Sequence, residues 1–194
     1  MTFRVEQKII LGPVEAHKIH SYFCSKGMSP LFPRRQIYSL YFDNRTGASY
    51  LDSEEGCVPR KKIRVRNYGG NSDKLFEVKT SSCEGRYKTS VAINEAEYLK
   101  YLQGGVFDKS YGLCMPVLSV CYFRDYYSYK GIRITIDKEI EYGKFGTHHT
   151  FRDTHCVLEF KAPAGISLDF LDGLVSTPLS RFSKYSRGYQ NLIA

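Results

Sequence analysis

A two-residue alternation of charge and apolarity runs through most of this sequence and constrains its fold more than any other feature. In KKIRVRNY, Lys62, Arg64 and Arg66 alternate with Ile63 and Val65, and in GIRITIDK, Arg133, Thr135 and Asp137 alternate with Ile132, Ile134 and Ile136. LFEVK sets Glu77 and Lys79 against Phe76 and Val78, and VLEFKA sets Glu159 and Lys161 against Leu158 and Phe160. Near the N-terminus Arg4, Glu6 and Lys8 alternate with Val5 and Ile9, and in VCYFRDYY the side chains of Tyr122, Arg124 and Tyr126 share a parity. Strand side chains point alternately to two faces, whereas a helix repeats every 3.6 residues, so these stretches read as strands with one charged and one apolar face. The pattern predicts strands over Phe3–Leu11, Arg35–Asp43, Arg60–Tyr68, Lys74–Ser81, Arg86–Ile93, Val117–Tyr127, Ile132–Tyr142 and Cys156–Ala162.

Helix signals are fewer. Pro13–Ser25 has proline in its first turn and Gly27 as a stop. Asn94–Gln103 begins with Asn94 as a cap and Glu97 three residues later, a capping box, and ends at Gly104-Gly105. Leu168–Ser176 and Leu179–Ile193 complete the set. No linker, low-complexity tract or tandem repeat divides the 194 residues, so residues 1–194 are expected to form a single domain. Eight antiparallel strands can close into a barrel wide enough for one ligand. The expected fold is therefore mainly β (α+β): an eight-stranded antiparallel β-barrel tunnel with a few peripheral helices.

Helices need an apolar sheet face on which to dock. If they cover the outside of the barrel, the charged faces point inward. Those faces carry mostly Lys and Arg with sparse carboxylates, and the chain has a formal net charge of +8. Burying unpaired like charges is costly unless an anion fills the space. A triphosphate with a divalent cation meets that need: guanidinium groups bind phosphate oxygens in bidentate fashion, lysines act as point charges, and carboxylates hold Mg²⁺ or Mn²⁺. The triplet Glu-x-Lys in VEQKI, FEVKT and LEFKA puts one metal ligand and one phosphate ligand on the same face.

The stretches FRVEQKI, YSLYFDN, KKIRVRNY, LFEVKT, YKTS, VCYFRDYY, IRITID, VLEFKAP and RFSKYSRGYQ, in this order, resemble the triphosphate tunnel metalloenzyme (CYTH-like) superfamily, and within it the VTC domain of polyphosphate polymerases. The resemblance implies phosphate-binding residues at Lys8, Arg64, Arg66, Lys79, Lys88, Arg124 and Arg133, joined by Arg181, Ser183 and Lys184 of the C-terminal RFSK. It makes Tyr122 a nucleotide or phosphate contact and Glu159 the principal metal ligand, with Glu6, Glu77 and Asp137 as further metal candidates. One departure bears on activity. The hydrolytic branch opens with Glu-x-Glu-x-Lys, and here the first position is Arg4, which resembles the VTC branch. The implied activity is metal-dependent transfer of the terminal phosphoryl group of ATP to a growing polyphosphate chain. The alternatives are hydrolysis of tripolyphosphate or a nucleoside triphosphate, and non-catalytic binding of a polyanion.

Other chemistries fit less well. The six cysteines form no Cys-x-x-Cys pair, and free thiols in a cytoplasmic protein are expected. His148, His149 and His155 fall in an expected loop, and TGASYLDSEEG lacks the Gly-Lys-Ser/Thr ending of a phosphate-binding loop. Basic residues that alternate within strands do not read as a nucleic-acid surface. No stretch has the length or apolarity of a membrane span, and MTFRVEQKII has no signal-peptide run.

Overall fold

A computed structural model describes residues 4–69, 73–163 and 179–194. Its elements are β1 (Arg4–Leu11), α1 (Pro13–Ser25), β2 (Ser29–Asp43), α2 (Ala48–Glu55), β3 (Arg60–Tyr68), β4 (Lys74–Ser82), β5 (Gly85–Ile93), α3 (Glu95–Gly104), β6 (Val106–Asp108), β7 (Gly112–Tyr129), β8 (Ile132–Lys144), β9 (Thr150–Arg152), β10 (Cys156–Pro163) and α4 (Lys184–Leu192). The fold is mainly β. Eight strands hydrogen-bond in the order β1-β10-β8-β7-β2-β3-β4-β5, with short β6 beside β7 and β9 beside β8, and among the described residues this path is open.

The chain forms two compact units: Met1–Gln36 with Tyr122–Ile140 and Arg152–Phe182, and Ile37–Cys121 with Glu141–Phe151 and Ser183–Ala194. In the first unit, β1 pairs antiparallel with β10, and β10 with β8. Their apolar parity makes a core of Ile9, Leu11, Ile132, Ile134, Ile136, Leu158 and Phe160, onto which α1 docks Ala16 and Phe23. Phe23 lies edge-on to Tyr129 and Phe160, at 5.2 and 6.1 Å between ring centroids. Burying a ring of that size contributes about 2–3 kcal/mol. In the second unit, β2, β3, β4 and β5 pair antiparallel in sequence order. Leu40, Phe42, Ile63 and Val65 form its core, with Tyr98, Tyr101 and Leu102 of α3 packed against it. In both units the helices therefore cover the apolar face, as the alternation requires.

The differences from the sequence reading are local and have physical causes. β2 begins at Ser29 rather than Arg35, and its first eight residues are exposed. Pro30 and Pro33 argue against a strand, but proline is tolerated where the ladder needs no N–H. Helix α2 carries no apolar stripe to betray it, since its buried residues are Ser49 and Ser53. It is fixed instead by Asp43, whose carboxylate accepts from the amides of Ser49 and Tyr50, each at 3.0 Å. α3 has the expected capping box, with the Glu97 amide donating to Asn94 at 2.9 Å. The C-terminal helix starts at Lys184, five residues later than read, because Ser183 caps it by accepting from the Ser186 amide. The expected helix Leu168–Ser176 lies outside the described residues.

RFSKYSRGYQ is a docking sequence for α4 as well as a source of charge. The Tyr185 hydroxyl donates to Asp43, and Tyr189 stacks on Tyr50 at 4.3 Å and 13°. A Cβ on Gly188 would sit 2.5 Å from Tyr142 Cδ1 and 2.7 Å from Leu118 Cδ2, and both of those side chains are fully buried. Gly188→Ala is accordingly expected to lower unfolding free energy by about 1–3 kcal/mol, the usual effect of overpacking a core. Urea denaturation checks it, and an unchanged midpoint would show that α4 has room to shift.

Candidate functional site

The charged faces follow from strand register. In the second unit, Lys62 of β3 lies opposite Lys79 of β4, and Lys79 lies opposite Lys88 of β5. Three lysines thus form a row across three strands, an arrangement of like charges that is destabilising by itself. One register step away, Arg64 faces Glu77, which faces Ser90, and Arg66 pairs across to Ser39 of β2. Across β3, β4 and β5, Glu77 is the one carboxylate on this face among the described residues.

Glu77 is fully buried. It accepts from Arg64 Nε at 2.8 Å and Nη2 at 2.5 Å, and from Lys88 Nζ at 2.8 Å. Arg64 Nη1 donates to the Tyr41 hydroxyl at 3.1 Å, Arg66 Nε to Ser39 Oγ at 3.1 Å, and Lys62 Nζ to Ser183 Oγ at 2.7 Å. Burial pushes the Glu77 carboxyl up, but Arg64, Lys88 and Arg66 outweigh it and hold it at about 2. Ser183 is thus both the cap of α4 and the partner of Lys62, and Lys184 opens the helix beside it.

The first unit carries a mixed face. Glu6 lies opposite Lys161, Lys8 opposite Glu159, and Glu159 opposite Thr135 of β8, while Arg133 lies opposite Lys161. Asp137 and Glu159 are buried. Arg124 donates to both oxygens of Asp137, at 2.5 and 2.7 Å, and its Nη2 lies 3.6 Å from Glu159. Lys161 Nζ is 3.2 Å from Glu159, and Lys8 Nζ is 3.5 Å from Glu6. Lys8 also donates to the Phe182 carbonyl at 3.2 Å, which ties residues 180–182 to β1 and leaves Arg181 exposed. Tyr122 is buried, with the Arg124 guanidinium over its ring at 5.4 Å.

Burial raises the Glu159 carboxyl, but a hydrogen bond with Glu6 and the charges of Lys161, Arg124 and Lys8 hold it well below the usual carboxylate range. Two buried polar atoms on this face, Arg133 Nε and Thr135 Oγ1, have no hydrogen-bond partner among the described residues. No group of three or more His, Cys, Asp or Glu side chains is arranged to hold a metal among the described residues. His148 and His149 are exposed in a turn, and His155 bonds to Asp153 at 3.0 Å.

Of the residues named from sequence, the first unit therefore gathers Glu6, Lys8, Tyr122, Arg124, Arg133, Asp137 and Glu159, and the second gathers Arg64, Arg66, Glu77, Lys79, Lys88, Ser183 and Lys184. Three further residues partner these side chains. Lys62 completes the lysine row, Lys161 neutralises Glu159, and Tyr41 holds Arg64. Parity alone put Lys62 and Lys161 on the charged faces; the Tyr41 contact depends on register, which sequence does not give.

Comparisons with known proteins place this geometry. The fold is shared with HpAC1 from Hippeastrum, a proposed adenylyl cyclase with a dominant triphosphatase activity, at 16% identity and a TM-score of 0.60 over 99% of this chain and 98% of that one. It is shared also with a proposed adenylate cyclase from Bacillus halodurans, at 12% identity and a TM-score of 0.63 over 100% and 98% of the two chains. The PH1819 protein from Pyrococcus horikoshii OT3 aligns at 18% identity and a TM-score of 0.58 over 97% and 99%. These likenesses show a shared fold. A family model for the VTC domain matches residues 4–112 and 107–193, and the chain belongs to that family. The comparison with curated proteins found no match. No described helix is long and apolar enough to cross a membrane.

The depressed Glu77 carboxyl gives a pH test. A carboxyl held at about 2 in the folded chain ionises near 4.3 when unfolded. Its stabilisation is complete above the unfolded value and is lost as pH falls from there toward 2. Glu77→Gln is expected to cost about 3 kcal/mol at pH 7, the usual consequence of breaking a buried pair, and to flatten the acid limb of the stability profile. An acid limb of wild-type steepness in the variant would place the titrating group elsewhere.

Proposed function

We propose that this VTC domain is a metal-dependent polyphosphate polymerase, which moves the terminal phosphoryl group of ATP onto a phosphate chain. The observation that carries the reading is the row Lys62–Lys79–Lys88. Two interstrand spacings make a track of about 10 Å, and its like charges call for a polyanion of comparable length. A run of phosphates meets that condition better than a single phosphoryl group. Arg64 and Arg66, beside the row, supply planar forks that suit phosphate oxygens.

The first unit supplies the residues for a cation. Glu6 and Glu159 stand on one face of the adjacent strands β1 and β10, and Thr135 Oγ1 lies on the same face. This all-oxygen set fits Mg²⁺ or Mn²⁺, which are commonly held by one or two carboxylates plus substrate phosphates rather than by a full protein cage. When bound, such an ion neutralises charge on phosphate oxygens held by this unit's own cations. Glu77 and Asp137 are already engaged by Arg64 with Lys88 and by Arg124, so the reading gives the ion to Glu6 and Glu159. Arg124, Arg133, Lys8 and Lys161 then orient phosphate oxygens. The phosphate acceptor is already an anion at neutral pH, so no strong general base is needed.

The hydrolase reading has one observation in its favour, the triphosphatase activity reported for HpAC1. Purified protein with labelled ATP and Mn²⁺ separates the two. The polymerase reading expects label in long chains; label in free phosphate alone would make the domain a hydrolase. Bound ATP with neither product would make it a binding module. Glu159→Gln is expected to abolish most turnover while ATP still binds. Lys79→Ala is expected to weaken triphosphate binding by about 1.5–3 kcal/mol, the range for a charge-assisted contact. Wild-type turnover in Glu159→Gln would remove Glu159 from the metal site.

A further inference from the structure

Tyr41 of β2 lies opposite Arg64 of β3 and is 6% exposed. Its hydroxyl accepts from Arg64 Nη1, while Nε and Nη2 of the same guanidinium donate to Glu77. Arg64 is thus held from two sides, by a carboxylate on β4 and a phenol on β2. The Tyr41 ring stacks on Tyr185 of α4, with centroids 5.0 Å apart and planes 25° from parallel. Tyr185 in turn donates to Asp43. The phenol therefore touches both the guanidinium beside the lysine row and the helix whose cap, Ser183, accepts from Lys62.

We propose that Tyr41 is a positioning residue of the basic face: it holds Arg64 beside the row Lys62–Lys79–Lys88, and loss of its phenolic proton weakens the binding of a phosphate chain there. The inference rests on the reading that this face binds such a chain. Its physical basis is the set of groups around the hydroxyl. β3 presents Lys62, Arg64 and Arg66, β4 presents Glu77 beyond Arg64, and α4 presents Tyr185, whose own phenol is kept protonated by burial and by Asp43. Burial opposes the phenolate of Tyr41, but Arg64, Arg66 and Lys62 outweigh it, lowering the phenol from 10.0 to about 8. A phenolate would share Arg64 with the ligand and add a negative charge beside an anion.

The coupling is reciprocal: a bound polyanion makes the phenolate harder to form, and the phenolate lowers affinity by the same factor. Affinity is therefore full while Tyr41 is protonated and falls as pH rises through about 8. Sodium tripolyphosphate titrated calorimetrically into the whole chain at pH 7 and pH 9, at fixed ionic strength, tests this. Wild type is expected to bind roughly fivefold more weakly at pH 9 than at pH 7, the consequence of one pKa unit of coupling from a phenol at about 8. Tyr41→Phe is expected to bind more weakly than wild type at pH 7, having lost the acceptor for Arg64, and to show little further loss at pH 9. The tyrosinate absorbance of wild type, read without any variant, should show a step near the value above that tripolyphosphate moves to higher pH. A wild-type affinity that does not change across this range, or a Tyr41→Phe slope as steep as wild type, overturns the role of Tyr41 alone. Failure of wild type to bind tripolyphosphate at either pH overturns the phosphate reading on which it rests.

Discussion

The basic face of β3, β4 and β5 sets the terms for the rest of the chain. Strand register brings Lys62, Lys79 and Lys88 into one row, and Glu77 is the one carboxylate that β3, β4 and β5 place on this face among the described residues. A single carboxylate cannot neutralise that row together with Arg64 and Arg66. It holds Arg64 by two bonds and Lys88 by one, and among the described residues of these three strands the face carries more cations than carboxylates. Folding alone gives no reason to align three lysines, because like charges directly opposite one another are destabilising. On the proposed reading, the arrangement is a stability cost retained for anion binding.

The architecture then follows from keeping the charged faces on the side away from the core. Alternation sends Ile63, Val65, Leu40 and Phe42 to the opposite face, where α3 covers them. In the first unit Ile134, Ile136, Leu158 and Phe160 do the same beneath α1. Asp43 has a different task. It anchors the start of α2 through two backbone amides and receives the hydroxyl of Tyr185. One buried carboxylate thus fixes α2 and α4 in the second unit, and α4 brings the Ser183 hydroxyl to Lys62.

Much of this was legible in the sequence because a period of two is unambiguous when both faces are chemically pure. Arg133, Thr135 and Asp137 against Ile132, Ile134 and Ile136 leave one assignment of faces, and that assignment holds in the core. Helix α2 was not legible, since its buried residues are serines and its stabiliser, Asp43, belongs to the preceding strand. Cross-strand partners were not legible either. Parity says that Lys62 and Lys79 share a face, but only register says that they stand opposite each other. The grip of Tyr41 on Arg64 and the approach of Glu6 to Glu159 are facts of the same kind. The Glu-x-Lys triplets also divide in a way their spelling hides: Glu77 pairs across strands with Arg64 and Lys88, whereas Glu6 and Glu159 each lie within ion-pair reach of the lysine of their own triplet.

The central claim is that the basic face is built for a chain of phosphates, so its direct test is linkage between ligand and stability. Urea unfolding can be followed in sodium tripolyphosphate and in sodium chloride at matched ionic strength. Ligand at about 100 times its Kd should raise the unfolding free energy by about 2.7 kcal/mol, with no such rise in sodium chloride. The triple variant Lys62→Ala, Lys79→Ala, Lys88→Ala should lose most of that gain, measured against its own stability without ligand. Equal stabilisation by the two salts, or a triple variant that responds to tripolyphosphate as wild type does, would contradict the account.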